Sequence, residues 1–207
     1  MMLWKSLNLW ADEEQRIHHC LSEALQQLIS QHSVISTDDE KTITGKIRPI
    51  LRSISKYKKL GWSLHFEASA FEKDNDADPI GHPDIRLTRL DKDHNQYDYD
   101  VECKLVRQKR IARSMDYCSH YVTDGVMRYQ SGKYAQSKPP MGTMLGYVQE
   151  GNISALLDKI NGKAKKQGLS IIQLQGVVIS KGVTPLFHKL NRRDSQFILY
   201  HLWADFR

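Results

Sequence analysis

No run of apolar residues in this 207-residue chain approaches the length of a helical membrane span. Cysteine is scarce: Cys20, Cys103 and Cys118 form an odd, scattered set, which argues against a disulfide framework and against a zinc knuckle. Six prolines and twelve glycines leave no room for a long low-complexity linker. The sequence has no P-loop, which excludes built-in energy-dependent translocation, and no internal repeat. Lys5, Asn8 and Asp12-Glu13-Glu14 interrupt any secretory apolar core near the start, so the chain is expected in the cytoplasm.

What is present fits one globular unit. Hydrophobic content of 40% and charged content of 26% are ordinary, and the length suits one ample core rather than two. The net charge of +6 suits a partner that carries phosphates. From Lys104 to Arg113 the chain has five bases and no acid, a cluster suited to sequence-independent backbone contacts through Arg107, Lys109, Arg110 and Arg113.

The most informative feature is Pro83-Asp84 followed by Glu102-Cys103-Lys104. In Asp84-Ile85-Arg86-Leu87-Thr88 polar and apolar residues alternate, and they alternate again in Asp100-Val101-Glu102-Cys103-Lys104-Leu105. Both segments therefore read as strands, with Glu102 and Lys104 on one face and Val101, Cys103 and Leu105 facing a core. The polar stretch from Asp91 to Gln96 is turn-like, so the pair reads as an antiparallel hairpin that brings Asp84 beside Glu102. A hard divalent cation needs only one or two carboxylates besides waters and substrate phosphate oxygens. Asp84, Glu102 and the Cys103 carbonyl supply suitable oxygens, and Lys104 a point charge for the attacking water or the phosphate. A solvated, salt-bridged sheet face accounts for the same residues without chemistry.

This pattern resembles the PD-(D/E)XK nuclease superfamily, from about Thr37 to about Glu150. The resemblance implies an α/β fold with a restriction-endonuclease-like core, a mixed central sheet flanked by helices. Here residues 1–36 would be a helical extension, 37–150 the motif-bearing core, and 151–207 the helix and strands that complete the sheet. It implies Asp84 and Glu102 as metal ligands and Lys104 as the catalytic lysine. It names Glu40 as a further acidic ligand, although Thr37-Asp38-Asp39-Glu40 also has the form of a capping box. The implied activity is Mg²⁺-dependent nuclease cleavage of DNA, with Mn²⁺ able to substitute, in bacterial defence, restriction or a mobile element. Specificity would come from a homodimer, a partner protein or substrate structure such as ends and junctions. The alternative is a catalytically inactive nucleic-acid-binding subunit with the same fold.

Other elements follow from periodicity. Ile17, Leu21, Leu25, Leu28 and Ile29 mark an amphipathic helix, and Ile43, Ile47, Ile50, Leu51 and Ile54 a second. Trp62 to Phe71 reads as a first strand, and the Asp- and Asn-rich residues 72–82 as a loop bordering a groove. Tyr121 to Ala135 is expected to be helical, which would set Gln130 and Tyr134 on one face in the Gln-x-x-x-Tyr form of RecB-type members, with Arg128 and Lys133 near phosphate. Thr143 to Val148 reads as a strand, Ile153 to Gly168 as a helix, Leu169 to Ser180 and Phe197 to Phe206 as strands, and Lys181 to Ser195 as a basic loop.

Overall fold

A computed structural model describes residues 2–66, 83–108, 116–136, 140–176, 181–192 and 196–207. Helix α1 (Met2–Ser30) and helix α2 (Glu40–Tyr57) come first. Ile17, Leu21, Leu25 and Leu28 are all buried, as are Ile43, Ile47, Leu51 and Ile54, so the apolar stripe of each helix is its inward face. The N-terminal helix thus contributes directly to the core. Asp39, rather than Thr37, caps α2: its side chain accepts from the Thr42 amide at 2.8 Å. That leaves Glu40 as the first helical residue, free to reach elsewhere.

The described residues hold seven strands: β1 (Ser63–Phe66), β2 (Ile85–Leu90), β3 (Gln96–Val106), β4 (Gly142–Val148), β5 (Gln173–Leu174), β6 (Val183–Asn191) and β7 (Gln196–Asp205). They form one mixed sheet in the order β1-β2-β3-β4-β7-β6-β5, in which β4 runs parallel to both β3 and β7 and the other pairs are antiparallel. The β2–β3 hairpin has the expected register, Ile85 opposite Val101. Residues of odd number on β3 and β4, such as Val101, Cys103, Leu145 and Tyr147, pack under α1 and α2. Met144, Val148 and Trp203 face the opposite side, together with the helices between β3 and β4 and helix α5 (Ile153–Lys166). The chain is therefore α/β, a mixed sheet flanked by helices.

Three expectations need correction. The helical run after β3 spans α3 (Tyr117–Tyr121), a π-helical turn (Val122–Val126) and α4 (Met127–Gln130), so it begins earlier and ends sooner than Tyr121 to Ala135. Asp116 caps its start, and Gly132, at φ 78°, turns the chain away just beyond its end. Lys181 to Ser195 is no loop over most of its length, because Val183–Asn191 is a nine-residue strand. Within Leu169 to Ser180 only Gln173–Leu174 is strand among the described residues. The first strand is seen from Ser63 to Phe66, and the segment 67–82 lies outside the described residues.

Candidate active site

Strand β2 stops at Ile85, opposite Val101, whereas β3 continues to Val106. Among the described residues β3 has no neighbouring strand on that side beyond Val101, and its amides need acceptors. Two carboxylates supply them. Asp84 Oδ2 accepts from the Cys103 amide at 2.6 Å, and Glu40 Oε2 from the Leu105 amide at 3.1 Å. Continuing the hairpin register by one step sets Asp84 across from Glu102.

Glu102 and Lys104 rise from one face of β3, as their alternation requires. Glu102 is 1% exposed and Lys104 9%. The Lys104 ammonium has three acceptors: Glu40 Oε1 at 2.9 Å, the Cys103 carbonyl at 2.8 Å and Glu102 Oε1 at 2.8 Å. Its three N–H donors are thereby all engaged. Arg128, from α4, donates to Glu102 Oε1 at 2.6 Å and to the Tyr134 hydroxyl at 2.9 Å. Glu102 Oε2 is buried and has no hydrogen-bond partner among the described residues.

The electrostatics follow from this packing. Burial lifts the Glu102 carboxyl to about 7, against the lowering pull of Lys104 and Arg128. Burial also raises Asp84, with Lys104 and the Cys103 amide opposing it. Burial alone would lower the Lys104 ammonium, but Glu102, Glu40 and Asp84 outweigh it and hold the group above its ordinary range. Burial thus disfavours the charged form of both acids, while the lysine stays charged.

Asp84, Glu102, Cys103, Lys104 and Glu40 therefore come together at one open strand edge. The expected nucleic-acid contacts divide differently. Arg107 turns inward, donating to Gln149 Oε1 and to the Ser36 carbonyl at 2.7 Å, and ties the connection before α2 to the end of β4. Gln130 donates to the Asn191 carbonyl at 2.5 Å. Tyr134 lies past the helix, not one turn along it from Gln130; its ring is fully buried against Tyr129, so it offers no face to a base. Lys133 is exposed. Lys109, Arg110 and Arg113 lie outside the described residues.

Sequence reasoning passed over Asp100, which shares the parity of Glu102. It is buried, accepts from Arg86 Nε at 2.7 Å and from the Ala135 amide at 2.9 Å, and so fixes the chain just after α4. Arg128, expected near phosphate, donates to Glu102. Arg192 was also missed: its guanidinium donates to the carbonyls of Tyr129, Tyr134 and Ala135 at 2.8 to 2.9 Å. The backbone around Arg128 is thereby held from outside.

An open cleft of about 590 Å³ is lined by Glu40, Lys104, Tyr117, His120, Asp124 and Arg128 among others, and Asp84 and Glu102 are not in its lining. No family model, curated protein or solved structure matches this chain. Among the described residues no cluster of three or more His, Cys, Asp or Glu side chains is arranged to hold a metal ion. The acidic pair still fits a hard cation of the Mg²⁺ type, which takes few protein ligands. The fit rests on Glu102 Oε2, a buried carboxylate oxygen with no donor among the described residues, next to the Asp84 carboxyl in the hairpin register.

Proposed function

We propose that this protein hydrolyses phosphodiester bonds in nucleic acid, DNA before RNA, with a divalent cation, Mg²⁺ or Mn²⁺. The observation that carries this reading is the meeting of Asp84 and Glu102 at the open edge of β3, with Lys104 two residues further on the same face. The antiparallel β1-β2-β3 meander, the parallel β3–β4 step and the helices flanking them support the restriction-endonuclease-like core.

Asp84, Glu102 and the Cys103 carbonyl would hold the cation, with Glu40 at the margin. When bound, it supplies polarisation of the phosphate and a more acidic water. The chain's own groups do the rest. Arg128 fixes Glu102 by one oxygen and leaves the other free. Lys104, held charged by its acidic neighbours, offers a donor to the phosphate or the attacking water once it releases Glu102 or the Cys103 carbonyl. Burial of Glu102 in a water-poor setting strengthens each of these interactions. Lys109, Arg110, Arg113 and Lys133 serve as backbone contacts in this reading.

Purified protein incubated with plasmid and linear DNA should cleave in Mg²⁺ or Mn²⁺ and stop on addition of EDTA. Asp84→Asn, Glu102→Gln and Lys104→Ala should each abolish cleavage with the fold retained. The full engagement of the Lys104 donors within the protein favours a second reading, a non-catalytic nucleic-acid-binding subunit. Salt-sensitive DNA binding with no cleavage in any divalent metal would select it.

A further inference from the structure

We propose that His120 is the general acid of this site, protonating the sugar oxygen that leaves as the phosphodiester is cut, with Asp124 orienting it. The inference rests on the hydrolase reading above and adds a catalytic residue to it. His120 and Asp124 stand four residues apart where α3 passes into the π-helical turn, and His120 Nδ1 lies 2.6 Å from Asp124 Oδ2. Asp124 Oδ2 also accepts from the Thr123 hydroxyl at 3.1 Å, which steadies the carboxylate. With Nδ1 committed to Asp124, Nε2 is the nitrogen left for a substrate.

Location gives the pair its meaning. An exposed ion pair of this spacing adds little to helix stability, and both side chains are close to half exposed, so the core does not require them. Yet they line the same cleft as Lys104, Arg128 and Glu40. A volume near 590 Å³ lies within the range that accommodates small ligands, enough for a nucleotide unit. Lys104 and Glu40 reach this cleft from β3 and α2, while His120, Asp124 and Arg128 follow one another at four-residue steps along the α3–α4 run, so the imidazole opens into the same space as the lysine.

The chemistry balances. Water oxygen forms a bond to phosphorus as the bond from phosphorus to the sugar oxygen breaks, and that oxygen keeps the electron pair. The imidazolium Nε2–H passes its proton to this oxygen, giving an alcohol. The attacking water loses a proton to solvent, and the neutral imidazole regains one from solvent.

The test uses the full chain, Mg²⁺, and oligodeoxynucleotides with ordinary bridging oxygens or with sulfur at the 3′ or the 5′ bridging position. On the ordinary substrate His120→Gln should lower kcat by roughly 10²- to 10⁴-fold, the usual contribution of a general acid. Its Tm should stay at the wild-type value. On the substrate whose sulfur is the leaving atom, a thiolate departs without a proton, and variant and wild type should cleave at near-equal rates. Asp124→Asn should show a smaller loss with the same rescue. An equal deficit on oxygen and sulfur substrates, or no deficit at all while the wild type cleaves, overturns the role of His120 and leaves the hydrolase reading standing. A wild-type protein inert in every divalent metal removes both.

Discussion

Glu40 and Leu105 join the first turn of a helix to the edge of a strand: the Leu105 amide donates to Glu40 Oε2 at 3.1 Å while Oε1 of the same carboxylate accepts from Lys104. One side chain thus completes the β3 edge and neutralises the lysine beside it. Asp84 repeats the arrangement two residues earlier, at the Cys103 amide. In this fold the acidic groups of the site are also structural caps, so stability and chemistry are read from the same atoms.

Glu40→Ala should therefore destabilise the protein by about 1.5–3 kcal/mol, the scale of a lost hydrogen bond to a charged group. Glu40→Gln, which keeps an acceptor for the Leu105 amide, should lose less. Urea unfolding of the two variants beside wild type measures this, and equal stability of all three proteins would contradict it.

The Arg86–Asp100 pair should be far more sensitive. Asp100 is 1% exposed and bound by Arg86 Nε at 2.7 Å. Arg86→Ala leaves a buried carboxylate without its cation, at a cost of about 3–5 kcal/mol. Arg86→Ala combined with Asp100→Ala should recover part of that loss in a double-mutant cycle.

His18 gives a pH dependence. It is buried, with Nε2 2.7 Å from the Tyr99 hydroxyl and 2.9 Å from Thr143 Oγ1. Burial lowers it to about 3 from an ordinary 6.5, with His19 adding to the shift. Between those values the unfolded chain binds a proton that the folded chain refuses, so the histidine's contribution is intact above pH 6.5 and is lost as pH falls toward about 3. His18→Gln should flatten the stability profile across that window by up to about 1.4 kcal/mol per pH unit. Glu14 and Glu102, both lifted to about 7 by burial, act in the opposite sense, so the difference between variant and wild type is the quantity to follow.

Gly142 is a packing constraint. A Cβ there would stand 2.6 Å from Tyr129 Cε1 and 2.8 Å from the Asp100 carbonyl oxygen, and backbone cannot yield cheaply. The Tyr129 hydroxyl donates to the carbonyls of Asp100 and Thr143, each at 3.0 Å, so displacing the ring breaks these bonds as well. Gly142→Ala should cost about 1–3 kcal/mol, measurable by denaturant titration.

Where side-chain alternation was clean, the sequence announced its own structure. The Asp84 and Glu102 segments have period two and an evident turn between them, and their hairpin forms in the expected register. β6 was hidden by Pro185 and by the basic residues around it. The Pro185 carbonyl accepts from the Gln175 amide, so its ring nitrogen faces the same way, and no bond to β7 is lost. The helix of α3, the π turn and α4 was misjudged because Gly132 in a left-handed conformation ends it, which removes Tyr134 from the face predicted for it. Arg128 and Glu102 lie 26 positions apart, and no local pattern reveals their contact. The i, i+4 spacing of His120 and Asp124 was readable, but the cleft that gives it meaning was not.

β4 lies between β3 and β7, and its seven residues Gly142–Val148 are buried throughout, uncharged and free of proline. Its second neighbour arrives only after α5, β5 and β6 have been made. Until then the strand offers a bare, sticky border to any other chain, the kind of template on which aggregates grow. Fragments that stop short of Gln196 should accumulate as insoluble material, however sound the rest of their sequence.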